Sequence, residues 1–325
     1  MHSAASVLML PSVLCFGEVL EDCITKDNQR HCYLGGAPAN VAAGLVKLGT
    51  PAGFIGAVGK DAIGDRIVEQ LQGLGVNLTG IQRVNQAPTR QVLVQHQANG
   101  DREFVGFAPA DSPFFADEQL QAKALPKSLI ESAQFLVLGT LGFATATTGQ
   151  ALGRVLELAH LQQIKVLIDV NWRPIFWKDP DLAKSLILEL LPQAQVIKLA
   201  AEEAAWLFQT TEPARIKDQV QGHIGLVVVT DGERGCQFST GIISGELPAF
   251  RVKVTDTTGA GDGFVAGLLH CLCPVKELQN AFTNATFLTQ SLQFASAVGA
   301  MVTQGAGATA PQPTASEVQR FLDRL

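Results

Sequence analysis

Four short apolar runs recur through the middle of the chain with helical stretches between them: Phe135 to Leu138, Val166 to Val170, Val196 to Leu199 and Leu226 to Thr230. Strands that are apolar at nearly every position are buried on both faces, and regular strand–helix alternation builds a parallel sheet with helices on both sides. The expected fold class is therefore α/β, a three-layer Rossmann-like architecture around a mostly parallel sheet. In such sheets ligands bind beyond the carboxyl ends of the strands. Polar residues gather there: Asn171 and Arg173 after the second run, Glu202 and Glu203 after the third, and Thr230, Asp231, Gly232 and Gly235 after the fourth. Singly, each also has an ordinary reading. Arg173 suits a surface position, and the two Glu suit the start of an exposed helix.

Composition permits this reading and removes others. With 47% hydrophobic and 17% charged residues in 325, a large core is available and global disorder is not expected. The net charge of −6 argues against a nucleic-acid binder, whose domain is normally basic. The apolar run Val7 to Leu10 is cut by Pro11 and lacks a basic flank, which argues against a signal peptide. No apolar run is long enough to span a bilayer, so a cytoplasmic protein without membrane contact is expected. Cys15, Cys23, Cys32, Cys236, Cys271 and Cys273 form no CxxC pair. Free thiols are the expectation, and His31 beside Cys32 is no more than a faint metal hint.

Taken in order, Ser12 to Gly17 reads as the first buried strand and Glu18 to Leu34 as edge strands or a loop over a site. Gly35-Gly36-Ala37-Pro38-Ala39-Asn40 then opens a helix that stops at Gly49. Paired glycines at a helix entrance serve either close ligand approach or tight packing, and Asn40 offers both a donor and an acceptor. Phe54 to Val58 reads as a strand and Arg66 to Leu74 as a helix. Two alternating runs, Val92 to His96 and Arg102 to Phe107, flank Ala98-Asn99-Gly100-Asp101, a strong hairpin signal. That hairpin breaks the αβ rhythm, so segments 18–34 and 90–107 are expected to stand apart as a small β lid. Glu277 to Val302 is helical in pattern, and Gly305 to Ala308 turns the chain into a last helix ending near Leu325.

The stretch most able to carry chemistry is Asp256-Thr257-Thr258-Gly259-Ala260-Gly261-Asp262-Gly263-Phe264. Phe250 to Val254 alternates like a strand before it, and Phe264 to Leu272 has helical spacing after it. A strand, a small-residue turn and a helix make an anion site, with backbone N–H groups and the helix dipole facing the ligand. Packing alone also explains such turns. Asp262, however, puts a carboxylate where bound phosphate would repel it, and a phosphoryl-transfer enzyme uses a carboxylate there to take the proton of the attacking hydroxyl. The turn is not a dinucleotide fingerprint, because the third glycine falls on Phe264. Nor is there a Walker A loop: Gly53 to Lys60 has one residue too many between its glycines and continues into Asp61.

Together the two glycine-rich stretches resemble the signatures of the ribokinase-like (pfkB) carbohydrate kinases, and the resemblance runs from about Leu14 to Pro313. Within that family Phe16-Gly17-Glu18 leading to Asp22, Asn171-x-Arg173, and Asp256 to Asp262 continuing into Phe264-Val265-Ala266-Gly267-Leu268-Leu269 look most like fructokinases. The resemblance implies one ribokinase-like domain over 12–313, with 314–325 as a C-terminal helix packed on it. It also implies ATP-dependent phosphorylation of a sugar with Mg2+. Asp262 would be the base, with Gly259, Ala260 and Gly261 as the anion hole. Asp22, Gly35, Gly36, Asn40 and Arg173 would hold the sugar, and Lys198, Glu203, Thr230, Gly232, Gly235 and Ser296 the nucleotide. Asp256 and Thr258 lie where relatives bind a monovalent cation, which admits K+. A monomer and a homodimer paired through the lid both fit.

Three departures bear on that reading. The family's Asn-x-x-Glu appears as Ala200-Ala201-Glu202-Glu203; fructokinases often lack that Asn, so the departure reads as a subgroup trait. Its Phe-Ala-Asn-Ala helix reads Phe294-Ala295-Ser296-Ala297, which alters an adenine-side contact. Ribokinases proper carry a Glu near Gly139-Thr140-Leu141, which lowers the odds of ribose. D-Fructose is the expected acceptor. Another acceptor (2-keto-3-deoxygluconate, ribose or a nucleoside) is the alternative, as is a sensor that kept the fold and lost turnover.

Overall fold

The structure, a computed structural model, describes residues 10–26, 29–96 and 102–324. In chain order the strands and helices are β1 (Val13–Phe16), β2 (Leu20–Lys26), β3 (Gln29–Gly35), α1 (Ala37–Leu48), β4 (Ala52–Gly59), α2 (Ala62–Leu74), β5 (Asn77–Val84), β6 (Gln91–His96) and β7 (Arg102–Ala108). The middle of the chain adds α3 (Lys127–Glu131), β8 (Phe135–Leu138), α4 (Ala146–Leu161), β9 (Lys165–Asp169), α5 (Pro180–Leu190), β10 (Val196–Ala200), α6 (Ala201–Phe208) and α7 (Pro213–Gln219). The remainder comprises β11 (Leu226–Thr230), β12 (Cys236–Ser239), β13 (Ser244–Leu247), α8 (Ala260–Leu272), α9 (Leu278–Phe282), α10 (Ala285–Val302) and α11 (Ala315–Leu322).

Nine strands form one sheet in the order β13-β12-β11-β10-β9-β8-β1-β4-β5. It is parallel from β11 to β5 and antiparallel only where β12 and β13 extend one edge. The unbroken apolar runs follow from two cores. In β1, Val13 and Cys15 enter one core while Leu14 and Phe16 enter the other; in β8, Phe135 and Val137 divide from Leu136 and Leu138 in the same way. Residues of α1, α8 and α10 cover the first face, and residues of α4, α5 and α6 cover the second. Alternate side chains of one strand thus bury on opposite faces, which leaves few polar positions, and those that occur, such as Asp169 and Lys198, need partners.

The second sheet, in the order β3-β2-β6-β7, grows from the carboxyl end of β1. Its β2–β3 and β6–β7 pairs are antiparallel, and β2 joins β6 in parallel. The two expected lid segments therefore form one sheet over the strand ends. The tip at Ala98-Asn99-Gly100, with Asp101, lies outside the described residues, as do Val7 to Met9 of the N-terminal apolar run.

Two expectations need correction. Phe250 to Val254 pairs with no strand: it runs past the edge strand β13, and Phe250 rests edge-on against Phe321 of α11 at 5.3 Å between ring centroids. Alternation records a half-buried side, and that does not require a partner strand. Cys23 and Cys32 are joined as a disulfide, because the β2–β3 register sets them directly opposite one another. Cys15, Cys236, Cys271 and Cys273 are free, as expected. The segment from Glu277 to Val302 is helical as expected, in two helices, because the Asn284 side chain accepts from Phe287 N at 3.0 Å and starts α10 afresh. Among the described residues no helix is long and apolar enough to cross a membrane.

Candidate active site

The site is built around the first turn of α8. Gly259 precedes it with φ +78°, and a side chain there would come within 2.5 Å of Ala308 Cβ, so only glycine fits. No side chain caps this helix, and the positive end of its dipole is left to a ligand. Asp262, in that first turn, is buried. Its Oδ2 accepts from Asn40 Nδ2 of α1 at 2.8 Å, a contact between residues far apart in sequence. Asn40 Oδ1 is buried and has no hydrogen-bond partner among the described residues. A buried acceptor with no donor points to a hydroxyl supplied by a ligand.

Burial pushes the Asp262 carboxyl up to about 6, and the charge of Asp169 adds to this; the Asn40 amide, Arg173 and Lys198 pull it back. A carboxylate in that range is ionised at neutral pH and still basic enough to take a proton. Lys198 of β10 faces Asp169 across the β9–β10 register, with Nζ 3.1 and 3.2 Å from its two oxygens. Burial by itself would lower this ammonium, but Asp169, Glu203 and Asp262 hold it above the ordinary lysine range. It stays charged, and Nζ lies 3.0 Å from where a side chain on Gly261 would begin. Lys198 and the α8 N-terminus thus present positive charge to one spot.

Glu203 is fixed from both sides, accepting from Trp172 N and from Ala200 N, each at 2.7 Å. Its tie to Ala200 N explains how an alanine is tolerated at the start of α6: the helix takes its cap from the carboxylate three residues on. Trp172 stacks on Trp206 at 4.0 Å, which steadies the loop after β9. Arg173 on that loop is exposed, donating to Trp172 O at 3.2 Å, and its charge reaches Asp262.

On the side of the small sheet, a side chain on Gly35 would run into the Asp22 carboxylate of β2. Gly36 has φ +99°, and a side chain there would meet Glu18 O at 2.5 Å. Glu18 Oε1 accepts from Ala37 N at 3.1 Å. Burial, reinforced by Asp117 and Asp262, pushes this carboxyl up to about 7. On the opposite side, the turn after β11 is closed by Asp231 N donating to Gly235 O at 2.7 Å, with Gly232 inside it. Thr230 Oγ1 donates to Leu199 O at 3.3 Å, and Ser296 Oγ of α10 lies 3.8 Å from Cys236 Sγ just beyond the turn. Asp256 joins two loops, accepting from Thr258 N at 2.8 Å and from Gly307 N at 3.1 Å.

The structure thus brings Asp262, Asn40, Lys198, Glu203, Arg173 and the 259–261 turn into one cluster. Asp22, Gly35 and Gly36 lie on its small-sheet side, and Thr230, Gly232, Gly235 and Ser296 gather on the other. Sequence reasoning missed Asp169 and Glu18. The signal for Asp169 was an acid closing an otherwise apolar strand, since such a residue is buried and needs a partner.

Residues 10–315 match the model of the pfkB family carbohydrate kinases. Fructokinase-2 of Oryza sativa subsp. japonica is 33% identical over 292 residues, 89% of this chain and 85% of that protein. A crystal structure of fructokinase with bound ATP from Xylella fastidiosa superposes with a TM-score of 0.88 at 30% identity, covering 96% of this chain and 98% of that one. A fructokinase double mutant from Vibrio cholerae O395, described with fructose, ADP and a potassium ion bound, gives a TM-score of 0.82 at 25% identity over 96% and 98% of the two chains. By family model, sequence and fold alike, the chain belongs to the pfkB family of carbohydrate kinases.

Proposed function

We propose that the protein transfers the terminal phosphoryl group of ATP to a hydroxyl of D-fructose, giving ADP and fructose 6-phosphate. The observation that carries this reading is the pairing of Asp262 with Asn40 at 2.8 Å in front of an uncapped helix N-terminus flanked by the buried charge of Lys198. Asp262 takes the hydroxyl proton as the acceptor oxygen bonds to phosphorus and the bond to the ADP oxygen breaks. Asn40 orients Asp262 and offers Oδ1 to the acceptor. The N–H groups of the Gly259-Ala260-Gly261 turn, with Lys198, stabilise charge on the moving group, and positioning plus charge stabilisation is most of what this reaction needs. Asp22, Gly35, Gly36 and Arg173 hold the sugar under the small sheet. Thr230, Gly232, Gly235 and Ser296 line the nucleotide side.

The residues fit the expected ions. Magnesium carried by the ATP phosphates would neutralise their charge. Asp169 and Glu203 would face it through its waters, because both carboxylates are already held by protein donors. Asp256 and Thr258 supply hard oxygen donors suited to K+ beside the anion-binding turn. The fructose acceptor and the ATP donor rest on what the similar fructokinases are described as binding.

The test is ADP release with magnesium against fructose, glucose, mannose, ribose, adenosine and 2-keto-3-deoxygluconate. Fructose should raise the rate well above the sugar-free baseline; a different winner would replace the acceptor, and no winner would leave a sensor. Arg173→Ala should raise the fructose KM about tenfold, as expected for a lost charge-assisted contact. Unchanged kinetics would make Arg173 a surface residue.

A further inference from the structure

Arg90 stands outside the cluster at Asp262, yet its side chain is only 4% exposed. It lies at the root of the small sheet, directly before β6, where its carbonyl accepts from Glu21 N of β2 at 3.1 Å. Nε is 3.0 Å from Asp117 Oδ2, and Nη2 is 2.6 Å from Glu118 Oε1. Three rings surround the guanidinium: Phe107 at 4.8 Å, Phe115 at 4.3 Å and Phe176 at 4.9 Å. They come from three segments. Phe107 is on β7, Phe115 is on the stretch returning from β7 to the large sheet, and Phe176 lies in the turn after β9, just past Arg173. Phe107 and Phe176 also meet directly, 5.1 Å between centroids. Glu18 and Thr145 line the narrow cavity beside this cluster.

A guanidinium can bond carboxylates in its plane while rings stack on its faces, which an ammonium cannot do. Arg90 therefore keys the lid strand and the Arg173 loop onto one rigid group. Other ties exist at the root, such as Arg66 of α2 on Glu21 of β2 at 2.9 Å, but much of β3 is exposed, as are Phe104 and Val105 of β7. A sheet with so small a core depends on contacts at its root for its position.

We infer that Arg90 is a positioning residue for phosphoryl transfer, setting the lid over the acceptor by holding Phe107 and Phe176 on one guanidinium. The inference rests on the kinase reading above. It separates the two substrates, because the turn at Gly232 and Gly235 lies away from Arg90. Loosening the lid weakens acceptor binding and admits water to the phosphoryl group, while ATP binding persists.

The experiment compares Arg90→Met, Arg90→Lys, the double variant Arg90→Met with Asp117→Asn, and Phe176→Leu. The readouts are acceptor KM, ATP KM, and moles of ADP released per mole of sugar phosphate formed. The double variant avoids stranding a buried Asp117, and Phe176→Leu leaves every charge paired, so it decides the matter if the Arg90 variants fail to fold. The expected result is an acceptor KM raised about tenfold or more, an ATP KM within about twofold, and a ratio above that of the unmutated protein, with Phe176→Leu shifted less in the same direction. Arg90→Lys should behave like Arg90→Met. An acceptor KM and a ratio unchanged in both Phe176→Leu and the double variant overturn the inference and leave Arg90 a structural residue. Absence of acceptor-dependent ADP release in the unmutated protein overturns the kinase reading itself, and this inference with it.

Discussion

Asp262→Asn should lower kcat by about 10²-fold or more while fructose still binds, because the amide keeps the shape and loses the base. Steady-state kinetics beside calorimetric titration of sugar separates the two effects, and an Asn variant with near-normal turnover removes Asp262 from the base role. The pH profile carries a second check. With the carboxyl pushed up to about 6 by burial, kcat/KM should be flat above neutral pH and fall about tenfold per pH unit below 6. Stability should move the other way. Because the folded pKa lies above the unfolded value of about 3.9, ionisation at neutral pH is penalised by folding. Removing the charge should therefore stabilise the protein by roughly 1–3 kcal/mol at pH 7. That gain develops between about pH 4 and 6 and is absent below. Thermal melts at pH 4 and pH 7.5 measure it.

Lys198→Met should lower turnover by about 10²-fold and also cost about 3–5 kcal/mol of stability, since Asp169 is left buried without its cation. Adding Asp169→Asn removes the stranded charge. The double variant should regain most of the stability and none of the activity. If the double variant also regains turnover, Lys198 serves only to neutralise Asp169, and its place beside Gly261 carries no catalytic meaning.

Glu203 shows why the departure at Ala200 is tolerable. In sequence, Ala200 stands where the family's Asn-x-x-Glu motif has an amide. In the fold both Glu203 oxygens are committed to backbone donors, Trp172 N and Ala200 N. The carboxylate fixes the loops on either side of the β9–β10 pair, a role that needs no side chain at position 200.

Much of the fold was legible because burial writes itself into the chain. A strand covered on both faces has few polar positions, so Phe135 to Leu138 and Leu226 to Thr230 could be read directly. A helix must begin at a special residue, so Gly36 and Gly259 marked two of the entrances around which the site forms. Phe250 to Val254 misled because alternation records a half-buried side and not a partner strand. The Cys23–Cys32 disulfide was hidden for a related reason: register sets which residues stand opposite, and it follows from the pairing of β2 with β3.

The sequence by itself determined the three-layer αβ architecture, the one hairpin that breaks its rhythm and the residue types offered to a phosphate. Each is a local matter of period, turn chemistry or spacing. Only the tertiary structure decided which of those residues meet. Asn40 and Asp262 are 222 positions apart and bonded, Lys198 finds Asp169 across two strands, and three phenylalanines from separate segments close on Arg90. The Asp262 carboxyl owes its basicity to the same cause, because desolvation comes from the elements packed around it and not from its neighbours in the chain.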